Sequence, residues 1–573
     1  MKLKLIAAAA FAVCGSSAFA ACTTPSTDSD QLVMECAPQV TMYMVGASAQ
    51  APAVHKMLLT TSTVFDLTKA VAIVTPTTGL TSTKYYASRT SSSLSSSSPA
   101  VTTSVASITY TGAKNTVIYV GTGAGTFNAT SNPNGGKRVA VVYNIANGSF
   151  AGVKQLTENT GTTNPSTLAS NNEALSQGLL LTAQQTAGTT LTCVKTGTTT
   201  SSTPAVWSYS SGTPTIPSYA CTGNNFNYLT TDPAGGLKGA QLALSDLAPR
   251  QASLGVLASG VWTPTKFPLT VTGMQGFGIM VNDLALKALI RREVAAGRLA
   301  SSCDSTAIGS STTTSTLTAA CQPSIRSSDM TALVTGKATA SLISGGLNAA
   351  GTADTTAITY WRRVPFSGTQ AASNVQFAGQ AAIEGFVSTS LVSGTSSATG
   401  YSAPILGTAA SSGDYTYTSS TGNYVNYAKG SGSDVITGVS ADTTTYAFGI
   451  VSLEKIWSAT KASSDIKGAS WVKLDGISPN FNMSTGVHDS NQRVGMQAGY
   501  PFQFEMVAIK GGGNGGQKTV ANAIIAGLQT PSYNLPGIAY IGSDVDSTYK
   551  ANFYRGGLGN NYAALTSYAT TVY

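Results

Sequence analysis

The stretch VTMYMVGASAQAPAVHKMLL, residues 40–59, decides how this chain is read. Residues 40–45 form a short, mostly apolar run of strand length, and Gly46-Ala47-Ser48-Ala49 supplies a turn of small residues. From Gln50 to Leu59 the apolar positions recur at helical spacing, with Pro52 in the first turn, where a missing N–H costs nothing. A buried strand feeding a helix through a tight small-residue loop is the unit of an α/β fold, and ligands of such folds sit at the carboxyl ends of the strands.

Working outward, the same grammar returns. Residues 117–120 (VIYV) read as a strand that runs into the loop Gly121-Thr122-Gly123-Ala124-Gly125-Thr126. Residues 277–281 (FGIMV) read as a strand followed by Asn282 or Asp283 as N-cap and an amphipathic helix over 284–296. Residues 504–509 (FEMVAI) and 518–528 give a further strand and helix. The glycine run 511–516 (GGGNGG) lacks the Lys-Ser/Thr of a phosphate-cradling P-loop and reads as a flexible loop. Between these segments, residues 89–104, 189–204, 303–316 and 392–422 are rich in Ser and Thr with little apolar periodicity, and are expected to be long loops or added β-hairpins. The 573 residues exceed what a single core fills, which argues for more than one lobe.

The N-terminus combines Lys2 and Lys4, an apolar run over 5–13 and a small-residue end at Ala18-Phe19-Ala20, the pattern of a secretory signal cleaved after residue 20. No later segment offers about 18 uninterrupted apolar residues, so the mature chain is expected to be exported without a transmembrane span. Six cysteines remain after Cys14 is removed: Cys22, Cys36, Cys193, Cys221, Cys303 and Cys321. Pairing sequence neighbours, Cys22 with Cys36, Cys193 with Cys221 and Cys303 with Cys321, is the simplest of fifteen connectivities. Phe19-Ala20-Ala21-Cys22 is also a loose lipobox, and a lipid anchor at Cys22 is the alternative for that pair.

Composition excludes several functions. Charged residues are only 10% of the chain and its net charge of +8 is not clustered, so no nucleic-acid surface is expected, although a mild positive balance suits a small anion. The two histidines, His55 and His488, have no nucleophile motif beside them and no pair of cysteines has CxxC spacing, so neither catalysis nor a metal is expected. No cofactor is indicated. Trp361, Trp457 and Trp471 are expected to pack.

One segment carries chemistry. In residues 363–369 (RVPFSGT), an arginine precedes by four positions a Ser-Gly-Thr that opens a helical stretch. A guanidinium, two hydroxyls and the free N–H groups of a helix start around one point make an oxyanion receptor in outline.

The order of the pieces resembles the periplasmic phosphate-binding proteins of ABC transporters. The matching landmarks are residues 45–52 (VGASAQAP), 119–125 (YVGTGAG), 244–249 (LSDLAP), 363–369, 448–451 (FGIV), 472–476 (VKLDG) and 500–502 (YPF), covering a little over half of the chain. The resemblance implies a two-lobed α/β solute-binding fold of type II, with mostly parallel sheets flanked by helices and the Ser/Thr-rich stretches as insertions. Lobe I would comprise 21–264, with insertions near 89–104 and 189–230, and 497–573. Lobe II would comprise 265–496, with insertions near 303–316 and 392–422. It further implies that Arg363, Ser367, Gly368 and Thr369 grip phosphate or a related oxyanion, while Asp246 accepts a hydrogen bond from the protonated oxygen that sulfate lacks. Ser48, Ala49, Gln50, Gly123 and Ala124 would complete the cleft. The chain departs from the pattern at Gln50-Ala51, where the family has Thr-Phe, and at Ala124, where it has Ser. The implied protein is periplasmic, secreted or on the cell surface, with an ABC permease or a secretion or cell-surface assembly as partner. A structural or adhesion protein on the same fold, with phosphate binding altered or lost, is the alternative class.

Overall fold

A computed structural model describes residues 40–60, 64–66, 71–76, 83–88, 103–105, 116–124, 138–144, 149, 152–153, 156, 182–184, 192–200, 215–222, 227–229, 240–247, 267–303, 314–363, 367–378, 415–418, 423–497, 499–513, 515–529 and 536–539. The expected signal sequence, Cys22 and Cys36 lie outside them. Strand β1 (Val40–Gly46) leads through a 3-10 turn (Ser48–Gln50) into helix α1 (Ala51–Thr60). Gly46 is required where strand becomes turn. Its φ is +123°, and a Cβ there would stand 2.0 Å from the carbonyl oxygen of Leu244.

Three further strands, β2 (Thr116–Thr122), β3 (Arg138–Asn144) and β4 (Leu242–Ser245), join β1 in the same sheet, with β3 and β4 parallel to it on either side. That central placement explains why residues 42–46 are buried without alternation: a strand covered on both faces needs apolar residues at every position. Helix α1 buries Ala53, Val54, Met57 and Leu58.

The longest strand, β5 (Leu269–Val281), turns into helix α2 (Asp283–Ala295). Asn282 is the N-cap, accepting from the Ala285 N–H at 3.0 Å while its amide donates to Asp442 O (2.6 Å) and Thr445 O (2.9 Å). The second parallel centre is β6 (Ile358–Arg363), which is followed by helix α3 (Gly368–Ala378). It lies between β7 (Tyr424–Lys429), which leads into helix α4 (Gly432–Ala441), and β8 (Tyr446–Ser452). Strand β9 (Gln503–Lys510) and helix α5 (Gly515–Leu528) close the described fold, with α5 packed on α1 and β1.

All nine belong to one sheet path, in the order β7-β6-β8-β5-β9-β4-β1-β3-β2, extended at one edge by Tyr415–Thr418 and at the other by Val71–Pro76, Thr83–Ser88 and Thr103–Val105. The expectation of mostly parallel sheets is therefore corrected. Parallel pairing surrounds β1 and β6, whereas β5 is antiparallel to both β9 and β8, β4 to β9, and β2 to β3. Strand β5 is the reason: its first half pairs with β9 and its second half with β8, so one strand stitches the two parallel centres together. Only residues 277–281 of it stand out in the sequence, because 269–276 (LTVTGMQG) is interrupted by polar residues. Two of them are buried and bonded. Thr272 donates to Met506 O (3.2 Å), and Gln275 donates to the carbonyls of Gly276 and Gly537 (3.0 and 3.1 Å).

The Ser/Thr-rich stretches add β structure. Thr192–Thr200 and Thr215–Thr222 pair antiparallel as a separate two-stranded sheet, with Cys193 opposite Cys221 in register. Cys303 and Cys321 are joined by a disulfide (Cα–Cα 5.3 Å). Helix α5 begins at Gly515, inside the glycine run. Trp471 is fully buried and donates to Gln492 Oε1 at 2.7 Å, and Trp457 packs on Phe481 and His488. Among the described residues no helix is long and apolar enough to cross a membrane, and no cluster of metal-ligating side chains occurs.

Candidate functional site

Strand β4 ends at Ser245 and delivers Asp246, 3% exposed, to its carboxyl end. Ser149 is the carboxylate's principal partner. Ser149 donates to Oδ2 at 2.9 Å and accepts from the Asp246 backbone N–H at 3.1 Å, while Oδ1 is buried with no hydrogen-bond partner. The first residue of α3 is seated against this pair: a Cβ on Gly368 would stand 2.2 Å from Ser149 Oγ and 2.5 Å from Asp246 Oδ2. Two elements more than a hundred residues apart in the chain therefore meet at one acid. The first-turn N–H groups of α3, which have no acceptor inside the helix, begin at that contact.

What seats α3 is local and specific. Ser367, Thr369, Gln370, Ser373 and Asn374 put polar groups among its buried residues beside Ala371, Ala372 and Phe377, and Gln370 Oε1 accepts from the Arg363 backbone N–H at 3.1 Å, tying helix to preceding strand. At its far end Phe377 packs edge-on against the buried Phe502, with ring centroids 5.0 Å apart. Phe502 also touches Phe277 on β5 at 5.3 Å, so α3 is anchored on the strand that joins the two centres.

Arg363 is the last residue of β6. One terminal nitrogen donates to Gly430 O at 2.7 Å, and Nε is buried with no hydrogen-bond partner. Burial lowers its pKa to about 10 against the favourable pull of Asp246, Asp434 and Glu454. Asp246 is shifted the other way, to about 6, chiefly by burial and further by the charge of Glu454, against the Ser149 hydrogen bond, Gln50 and the Arg363 cation. Each shift records the other group's field, so acid and guanidinium share one electrostatic environment. A cation and an anion are thus both desolvated, and each keeps one buried polar atom without a hydrogen-bond partner.

The remaining sequence candidates divide. Gln50 comes to the site: its amide nitrogen donates to Ser245 O at 2.9 Å, which orients its buried, unpartnered Oε1. Ala49 is buried in the preceding turn, and Ser48 occupies the turn's first position. The second loop is committed elsewhere. Gly123 bridges to Phe65, and the Ala124 N–H donates to Val64 O at 3.1 Å, so this backbone is bound to a neighbouring segment.

Sequence reasoning missed three residues whose contacts or charge bear on these groups. Ser149, in Asn147-Gly148-Ser149, has no motif to mark it. Tyr143, fully buried on β3, donates to Ala47 O at 2.5 Å and fixes the first turn. Glu454 is the third, and its signal was available: it is an acid just past the carboxyl end of an apolar strand in a chain with only 24 acidic residues.

The raised pKa of Asp246 gives a stability prediction. Its folded value lies above the unfolded one, so the folded state binds this proton more tightly. The associated stability is complete below about pH 4 and is lost as pH rises through about 6, some 3 kcal/mol in order of magnitude. Glu454, also raised by burial, acts with the same sign. Urea unfolding of the unliganded protein should show stability falling from pH 4 to 7, and Asp246→Asn should flatten that slope and raise stability at pH 7. Parallel pH profiles for the two proteins would contradict it.

The described residues form a mixed α/β fold in which the buried Asp246 follows the carboxyl end of β4 and Arg363 closes β6. Solved structures similar to the chain include an ABC-type phosphate transport receptor from Vibrio cholerae, at 13% identity and a TM-score of 0.24, covering 51% of this chain and 75% of that one. A phosphate binding protein from Stenotrophomonas maltophilia is similar at 15% identity and a TM-score of 0.26, covering 51% and 69%. No protein-family model and no curated protein matches the chain. Likeness at this level says nothing of site or ligand.

Proposed function

We propose that this chain is an exported, two-lobed solute-binding protein that captures phosphate or a related oxyanion between the carboxyl end of β4 and the start of α3. The observation that carries the reading is the meeting of Asp246, whose buried Oδ1 has no partner, with the first turn of α3 and the field of Arg363. Arg363, Ser367, Gly368 and Thr369 supply cation, hydroxyls and N–H donors. Asp246, as an acceptor, favours a protonated oxyanion over sulfate, because two anionic oxygens facing each other without a proton are repelled by several kcal/mol. Lobe closure about the shared strand β5 would present the loaded form to a permease.

A second reading is favoured by a specific contact. Ser149 already satisfies one oxygen of Asp246, and Gly368 packs directly on that pair, as it would in a fold retained for a structural role at the cell surface. Isothermal calorimetry with phosphate, arsenate and sulfate decides between the readings. The receptor reading expects saturable heat with the first two and weak or no heat with sulfate. Absence of phosphate heat, with the protein folded, leaves the structural reading.

A further inference from the structure

Resting on the receptor reading, we propose that Glu454 is a second proton-holding carboxylate of this site, so that the oxyanion is captured together with one additional proton shared between Glu454 Oε2 and a ligand oxygen. Position is the first ground. Strands β6 and β8 are parallel neighbours in register from Ile358↔Tyr446 to Trp361↔Gly449, so they run out at the same edge of the sheet. Arg363 ends the one and Glu454 stands two residues past the other, its backbone held there by the hydrogen bond from Leu453 N to Gly276 O on β5 (2.9 Å).

The hydrogen-bond inventory is the second. Lys455 Nζ lies 3.4 Å from Oε1 of Glu454 and the Ser452 side chain also hydrogen-bonds this carboxyl, while Oε2 is buried with no hydrogen-bond partner. With Asp246 Oδ1 and Gln50 Oε1 the site holds three buried acceptor oxygens lacking a donor. Monohydrogen phosphate carries a single O–H and can serve one of them. A second proton is needed to bring a second carboxylate oxygen beside an anion without net repulsion. The charged groups that act on Glu454 are Lys455 and Asp465 in its own loop, and its field reaches Asp246, Arg363 and Tyr143 on the facing elements. Arg363 and Lys455 also feel each other, so two cations are set against two acids, and this near-neutral site suits a monoanion better than a dianion.

The test is phosphate calorimetry from pH 6 to 8 in buffers of different ionisation enthalpy, which counts protons taken from solvent on binding. The unmodified protein should take up close to one proton per phosphate near pH 8, its affinity falling up to about tenfold per pH unit as pH rises there. Glu454→Gln, which holds hydrogen at this position at every pH, should bind phosphate with markedly less uptake and a flatter affinity profile. A purely structural Glu454 would lower the melting temperature of the variant and leave the proton count unchanged, and that result overturns the inference while the receptor reading stands. If phosphate gives no heat at all, both fall together.

Discussion

Arg363→Ala should weaken phosphate binding by about 30-fold to a few thousandfold, the 2 to 5 kcal/mol that follow when one partner of a desolvated charge pair is removed. The guanidinium is the cation whose field acts on Asp246, and its loss would set that carboxylate against an incoming negative charge without this compensation. The side chain's own structural contact is modest, one bond to Gly430 O at 2.7 Å, so unfolding should change far less than affinity. Arg363→Lys separates charge from shape. It keeps a cation but cannot form the fork, and intermediate affinity is expected. Calorimetry on the two variants, with thermal unfolding beside it, reads both quantities. Phosphate affinity unchanged within threefold in Arg363→Ala would remove the guanidinium from the site.

Gly368→Ala should both destabilise the protein and abolish anion capture. The added methyl would stand 2.2 Å from Ser149 Oγ and 2.5 Å from Asp246 Oδ2, inside any tolerated contact. Neither atom belongs to a free side chain, since Ser149 is held by both the backbone and the carboxylate of Asp246. Helix α3 must therefore back away from β4, against the packing of Phe377 on Phe502 and the tie from Gln370 to Arg363. Overpacking of this kind costs about 1 to 3 kcal/mol. A shift of a few tenths of an ångström also pulls the first-turn N–H groups from the anion's seat. Ser149→Gly in the same chain removes the nearest obstruction and should recover part of the stability lost, as urea unfolding of single and double variants would reveal. Stability unaltered in Gly368→Ala would mean that α3 does not rest on Asp246.

Local chemistry made several elements legible. The run 40–45, a cap at Asn282 or Asp283 ahead of α2, and the strand 504–509 each announce themselves through apolar continuity or a capping side chain, interactions that span a few residues, and the structure extends the strands by only a residue or so at their ends and makes Asn282 the cap. The polar first half of β5 did not, because Thr272 and Gln275 are acceptable in a core only once Met506 and Gly537, more than two hundred residues away, offer their carbonyls. The same holds at the site. Arg363 and Ser-Gly-Thr are visible as a motif and Asp246 as a strand-end acid, whereas Ser149 and Glu454 matter through what faces them.

Sequence alone determined the α/β grammar, the sparse and unclustered charge, and an arginine four residues before a Ser-Gly-Thr at a helix start. Tertiary structure alone decided that one antiparallel strand joins the two parallel centres, that Gly368 meets Asp246, and that Ala124 is spent on Val64. The physical reason is range. Backbone preference and amphipathic period act over one or two turns, but a buried oxygen is satisfied or left wanting by whatever distant segment the folded chain brings beside it.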